Sequence, residues 1–80
     1  MAKIIWTVQP VNDGYQGFIS VHSTVFSEEV NGAWFSVGEE PFASEIAAQM
    51  AAQDAVYRLG VKLAAKLPDT LPSDIIIEKA

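Results

Sequence analysis

Eighty residues, half of them hydrophobic, carry ten Asp/Glu against five Lys/Arg and no cysteine, for a formal charge of −5. Such a chain has room for one core, and its 23 Leu, Ile, Val and Phe are too many for a disordered tail. Without cysteine a disulfide scaffold and a thiolate metal site are excluded, and a pI near 4.5 argues against gripping nucleic-acid phosphates with Lys and Arg.

The first element is a strand over 3–9. Ile4, Trp6 and Val8 alternate with Ile5, Thr7 and Gln9, the two-residue period of a pleated chain. Pro10 is expected to end it, and Asn12-Asp13-Gly14 to turn the chain, because these residues tolerate positive φ. A second strand follows over 15–26. Ile19, Val21 and Val25 share one of its faces, and Phe18, Ser20, His22 and Thr24 occupy the other. A polar loop over 27–32 leads to a short third strand, 33–37, with Ala33, Phe35 and Val37 on one side and Trp34 and Ser36 on the other. Short connections predict antiparallel pairing, so 1–38 is expected to form a β-meander.

Beyond Gly38-Glu39-Glu40-Pro41 the composition turns alanine-rich, with eight alanines over 43–67. Ser44 is a suitable N-cap, Glu45 complements the helix dipole, and Pro68 is a firm stop. A helix is therefore expected over 44–67, with Gly60 as a place where it ends early or bends. After a linker at 69–72, Ile75-Ile76-Ile77 gives 73–79 strong strand propensity. That segment is read as extended, either a fourth strand of the same sheet or an arm packing on another chain. The fold class is thus α+β, β-β-β-α, in a single domain spanning 1–80.

At about 100° per residue the helix carries two apolar stripes. Ala48, Ala52, Ala55, Val56, Leu59, Leu63 and Leu67 form one, and Ile46, Met50, Tyr57 and Val61 the other. A helix on one sheet needs a single stripe. The second stripe is either covered by the C-terminal segment or is a protein contact. One helix also covers only one sheet face, leaving Ile5, Phe18, His22 and Trp34 on the other, provided that the register is not slipped by one residue.

Chemistry is sparse. His22 is the single histidine, and its neighbours Ser20, Ser23 and Thr24 come with no evident oxyanion site. Glu28-Glu29 and Glu39-Glu40 are read as solvated turn residues, and the glycines form no phosphate loop. No enzyme activity, cofactor, metal site or small-molecule substrate is expected. The start, Met1-Ala2-Lys3-Ile4-Ile5-Trp6, lacks the long apolar region of a signal peptide, and no apolar run exceeds three residues, far short of the roughly 18–20 of a membrane span. A cytoplasmic protein without membrane contact is expected.

Tyr15 to Gly60, and above all the helix Ala43-Ser44-Glu45-Ile46-Ala47-Ala48-Gln49-Met50-Ala51-Ala52-Gln53-Asp54-Ala55-Val56-Tyr57-Arg58-Leu59-Gly60, resembles the β-β-β-α part of a double-stranded RNA-binding domain. The resemblance implies a helix packed on a three-stranded sheet. Members of that family begin with a helix, whereas this chain begins with a strand. They also grip phosphates with lysines at the start of the second helix, where Ser44, Glu45 and Ala48 stand here. No functional residue is transferred.

The leading functional expectation is a small acidic interaction module binding a protein partner, a second copy of itself included. Ile46, Met50, Tyr57, Val61, Phe18, Trp34 and Ile76 are its contact candidates. One alternative is an acidic inhibitor of the phage type, imitating nucleic acid to block a nucleic-acid-binding or host-defence complex. The other is a degenerate RNA-binding-like domain.

Overall fold

A computed structural model of the chain describes residues 2–24 and 26–80. In order these form β1 (Lys3–Val11), β2 (Gly14–His22), β3 (Trp34–Phe42), α1 (Glu45–Lys66), a 3-10 turn (Pro72–Asp74) and β4 (Ile76–Lys79). The fold is α+β, with a mixed sheet ordered β3-β2-β1-β4. β1, β2 and β3 are the expected antiparallel meander, whereas β4 runs parallel to β1.

The alternation in β1 and β2 assigns the faces correctly. Ile4 lies opposite Val21 and Trp6 opposite Ile19, and all four belong to or pack on the core under α1. The other face carries Ile5 opposite Ser20 and Thr7 opposite Phe18, with Trp34 beyond Ser20. The expected position of Val25 lies outside the described residues.

The strand limits differ from the expected ones for local reasons. Pro10 is inside β1, opposite Tyr15. β4 pairs only with Lys3 to Trp6, so the side of β1 at Pro10 has no neighbouring strand and a proline without N–H is tolerated. Asn12 and Asp13 make the two-residue turn, and Gly14 opens β2 at φ +146°, where a Cβ would collide with the Phe42 carbonyl. β2 stops at His22 rather than 26, because Phe26 N–H turns back to the Ser23 carbonyl and Gly32 N–H takes that of Val21. β3 runs on to Phe42 through a wide bulge. Tyr15 faces Phe42 and Gly17 faces Val37, so Gln16 alone stands opposite 38–41. Gly38 makes the bend at φ +84°, and Glu39-Glu40 belongs to this bulged edge rather than to a turn.

Helix α1 begins as expected, with Ser44 Oγ accepting from Ala47 N–H at 3.1 Å, and ends at Lys66 before Pro68. Gly60 neither ends nor interrupts it. The buried line Ala48, Ala52, Val56, Gly60, Leu63, Ala64 faces the sheet. Its small residues permit a close approach: a Cβ at Gly17 of β2 would meet the Ala48 carbonyl and Ala52 Cβ, each at 3.2 Å. Ile4, Trp6, Val21, Val56, Leu63 and Ile75 complete the core. Burying such side chains supplies about 1.5–3 kcal/mol apiece, which is the chief stabilising term of a domain this small.

After α1, Leu71 N–H donates to Asp74 Oδ2 at 2.8 Å, holding the 3-10 turn, and Ile76 N–H donates to the Ala2 carbonyl at 3.1 Å. Residues 76–79 of the segment read as extended are therefore part of the chain's own sheet, whereas 73–74 belong to the 3-10 turn.

Candidate interaction surfaces

The second helical stripe is left open. Ile46, Met50, Tyr57 and Val61 are 71%, 64%, 68% and 41% exposed. The C-terminal segment covers only the far end of that line, where Ala64 is buried in the same cluster as Ile75. It could not do more, because its strand is committed to pairing with β1 at the sheet edge. The covering expected over the remainder of the stripe is absent.

At that far end the segment shapes a depression of about 270 Å³ lined by Tyr57, Gly60, Val61, Pro72, Ser73 and Ile77. Ile77 reaches it because its position opposite Ile4 turns it toward the helix side of the sheet. Ile76, the neighbour named from sequence, points to the other face beside Lys3. Choosing between the two isoleucines requires the direction and partner of β4, which propensity does not encode. Leu71, 65% exposed, is a further apolar side chain that sequence reasoning passed over.

Charge along α1 is uneven. Glu45 and Asp54 lie in its first half, while Arg58, Lys62 and Lys66 lie in its second. Asp54 and Arg58 meet at 3.1 Å in an exposed i, i+4 pair, worth only a few tenths of a kcal/mol.

The outer sheet face is the second surface. Phe18, half-buried, and Trp34, half exposed, line a shallow depression of about 460 Å³ with Thr7, Gln9 and Ala80. Ile76 shares this face but lies two strands away, so the three outer-face candidates do not form one patch. Lys3 and Glu78 pair at 3.0 Å across β1 and β4. Both edges of the sheet are unsuited to adding strands, β3 by its bulge and Pro41, β4 by its four-residue length and charged end.

Ser20 Oγ lies 3.2 Å from His22 Nε2, but Ser20 is 1% exposed between its cross-strand neighbours Ile5 and Trp34. That hydroxyl is not presented to a substrate. Among the described residues no group of three or more His, Asp or Glu is placed to hold a metal ion. Among them, too, no helix is long and apolar enough to cross a membrane. Glu28-Glu29 lies in the loop beyond His22, and Glu39-Glu40 lies toward the β1–β2 turn, at opposite ends of the sheet. Comparison with protein-family models, curated proteins and solved structures gives no match to this chain.

Proposed function

We propose that this chain is a small non-enzymatic interaction module whose docking surface is the outer stripe of α1. The observation that carries this reading is the line Ile46, Met50, Tyr57, Val61. Four large apolar side chains stand exposed on a helix whose other apolar stripe already satisfies the sheet. Leaving such a line in water forgoes about 1.5–3 kcal/mol per side chain, and large apolar side chains grouped on one exposed face of a small domain support a contact site. An apolar helix face is recognised by another helix or groove offering complementary side chains. The separation of the acidic pairs to opposite ends of the sheet gives less support to nucleic-acid imitation, which needs its carboxylates grouped.

The test is binding of protein partners at low and high ionic strength, with the chain immobilised and a Met50→Glu, Tyr57→Glu variant alongside. Apolar docking holds at both salt concentrations and is lost in the variant. A contact made by exposed charges fades as salt rises, because screening acts over about 8–10 Å. Equal retention by the variant overturns the reading.

A further inference from the structure

We propose that Asn31, in the loop between β2 and β3, is a site of self-modification. Its side-chain amide is lost as ammonia when that loop opens, and is held intact while the loop is closed.

The chain has two asparagines, Asn12 and Asn31, and of these only Asn31 is followed by glycine. In the reaction the Gly32 main-chain nitrogen, having given its proton to a solvent base, attacks Asn31 Cγ. The N–Cγ bond forms, the Cγ–Nδ2 bond breaks, and Nδ2 leaves as ammonia with a proton taken from water. Water then adds to the cyclic imide. Opening at Cγ gives aspartate, and opening at the main-chain carbonyl gives isoaspartate, whose main chain runs through the former side chain. No oxidant or reductant is needed. A side chain on the following residue crowds the attack and glycine does not, so Asn12, followed by Asp13, is the slower of the pair.

Two hydrogen bonds hold the closed loop against this reaction. Gly32 N–H donates to the Val21 carbonyl at 2.8 Å, and Ser23 N–H donates to Asn31 Oδ1 at 3.2 Å. The first engages the proton that must be removed before the nitrogen can attack. The second ties the side chain to the residue just past the end of β2. Taken alone, the second bond would polarise the amide and favour attack. The first, shorter bond decides the sign, because a nitrogen that keeps its proton is not a nucleophile. Gly32 is also fixed at φ +83° against the His22 ring, where a Cβ would lie 3.5 Å from Cε1. Asn31 is exposed, so solvent base reaches the site once these bonds break.

The products differ in what they do to the loop. Aspartate at 31 keeps an oxygen for Ser23 N–H, and a carboxylate is the stronger acceptor. Isoaspartate inserts an extra carbon into the main chain ahead of Gly32, which takes its N–H out of register with the Val21 carbonyl.

The full chain, incubated at mildly alkaline pH in buffer and in guanidinium chloride, tests this by mass spectrometry of its peptides. Loss of ammonia at Asn31 should be at least about tenfold faster in denaturant than in buffer, since only the opened loop reacts. An equal or greater rate in the folded chain overturns the shielding, and no reaction at Asn31 in denaturant overturns the site. Hydrogen exchange at the Gly32 amide is the second readout, on the separated and refolded products, with Asn31→Asp protein as the reference for the aspartate form. That form should keep slow exchange, and the isoaspartate form should exchange at least about tenfold faster. Equal protection in the two overturns the loss of the Gly32–Val21 bond.

Discussion

The Gln16 side-chain amide donates to the Val37 main-chain carbonyl at 2.7 Å, across the bulge that separates the two halves of β3. Four residues of β3 loop out there opposite Gln16 alone, and the Val37 carbonyl, at the last paired position before the bulge, takes a donor from a side chain. A buried carbonyl without a donor costs about 1–3 kcal/mol. Gln16, itself buried, supplies the donor from the neighbouring strand. Replacing Gln16 by Leu should lower stability by about 1–3 kcal/mol in urea unfolding. Gln16→Glu should do at least as much harm, since a carboxylate offers that carbonyl no donor. An unchanged urea midpoint in both variants would mean that water serves the carbonyl equally well.

Two glycines at the contact between α1 and the sheet, Gly17 in β2 and Gly60 in α1, should respond oppositely to alanine. At Gly17 the added methyl meets the Ala48 carbonyl and Ala52 Cβ at 3.2 Å, so the helix must move off the sheet, at a cost of about 1–3 kcal/mol. At Gly60 the nearest atom is Ile4 Cδ1 at 3.9 Å, an ordinary contact, and alanine in a helix interior is better than glycine by about 0.8–1 kcal/mol. Thermal unfolding of the two single variants is therefore expected to shift down for Gly17→Ala and up for Gly60→Ala.

Three consecutive isoleucines have three environments. Ile75 is buried in the core, Ile76 lies on the outer sheet face, and Ile77 lies beside the helix stripe. Ile75→Ala should cost about 2–5 kcal/mol. Ile76→Ala and Ile77→Ala should each cost under about 1.5 kcal/mol, because partial exposure leaves little cavity behind. Chemical denaturation of the set ranks them, and equal losses would refute the assigned environments.

Removing the α1 cap isolates a local contribution. Ser44→Ala deletes the acceptor for Ala47 N–H and should destabilise by about 1 kcal/mol, while Ser44→Asp should retain most of the stability. Calorimetry of both variants distinguishes a cap from a spectator serine.

How far the sequence alone could be read varies by element. β1, β2 and the inner stripe of α1 are half-buried elements, so burial writes a period of two or of 3.6 into them. Their faces follow from Ile4, Trp6, Ile19, Val21, Ala52 and Val56 alone. Ser44 and Pro68 mark the helix limits by backbone chemistry that needs no tertiary partner. The continuation of β3 through Gly38-Glu39-Glu40-Pro41 leaves no such trace. Those residues have turn-like composition, and they return to the sheet only because Phe42 finds Tyr15 and Gln16 bridges the gap. The outer stripe of α1 was visible as a surplus of apolar residues, and so were Phe18 and Trp34. The hollow beside Tyr57 was not, since it depends on where Pro72 and Ile77 are brought from far along the chain.

β4 makes the longest-range contact in the sheet, joining Ile76 to the strand that begins at Lys3. The meander closes through short loops, and α1 docks against strands that precede it directly. The last ladder closes a loop of nearly the whole described chain, and a loop's entropic cost grows with its length. Contacts of that separation are slow to gain by direct closure of the chain. Until they form, one flank of β1 presents unpaired amides from Lys3 to Trp6, the kind of open edge along which chains misassemble. The four residues of β4 thus matter less for the apolar area they bury than for how long that flank stays bare.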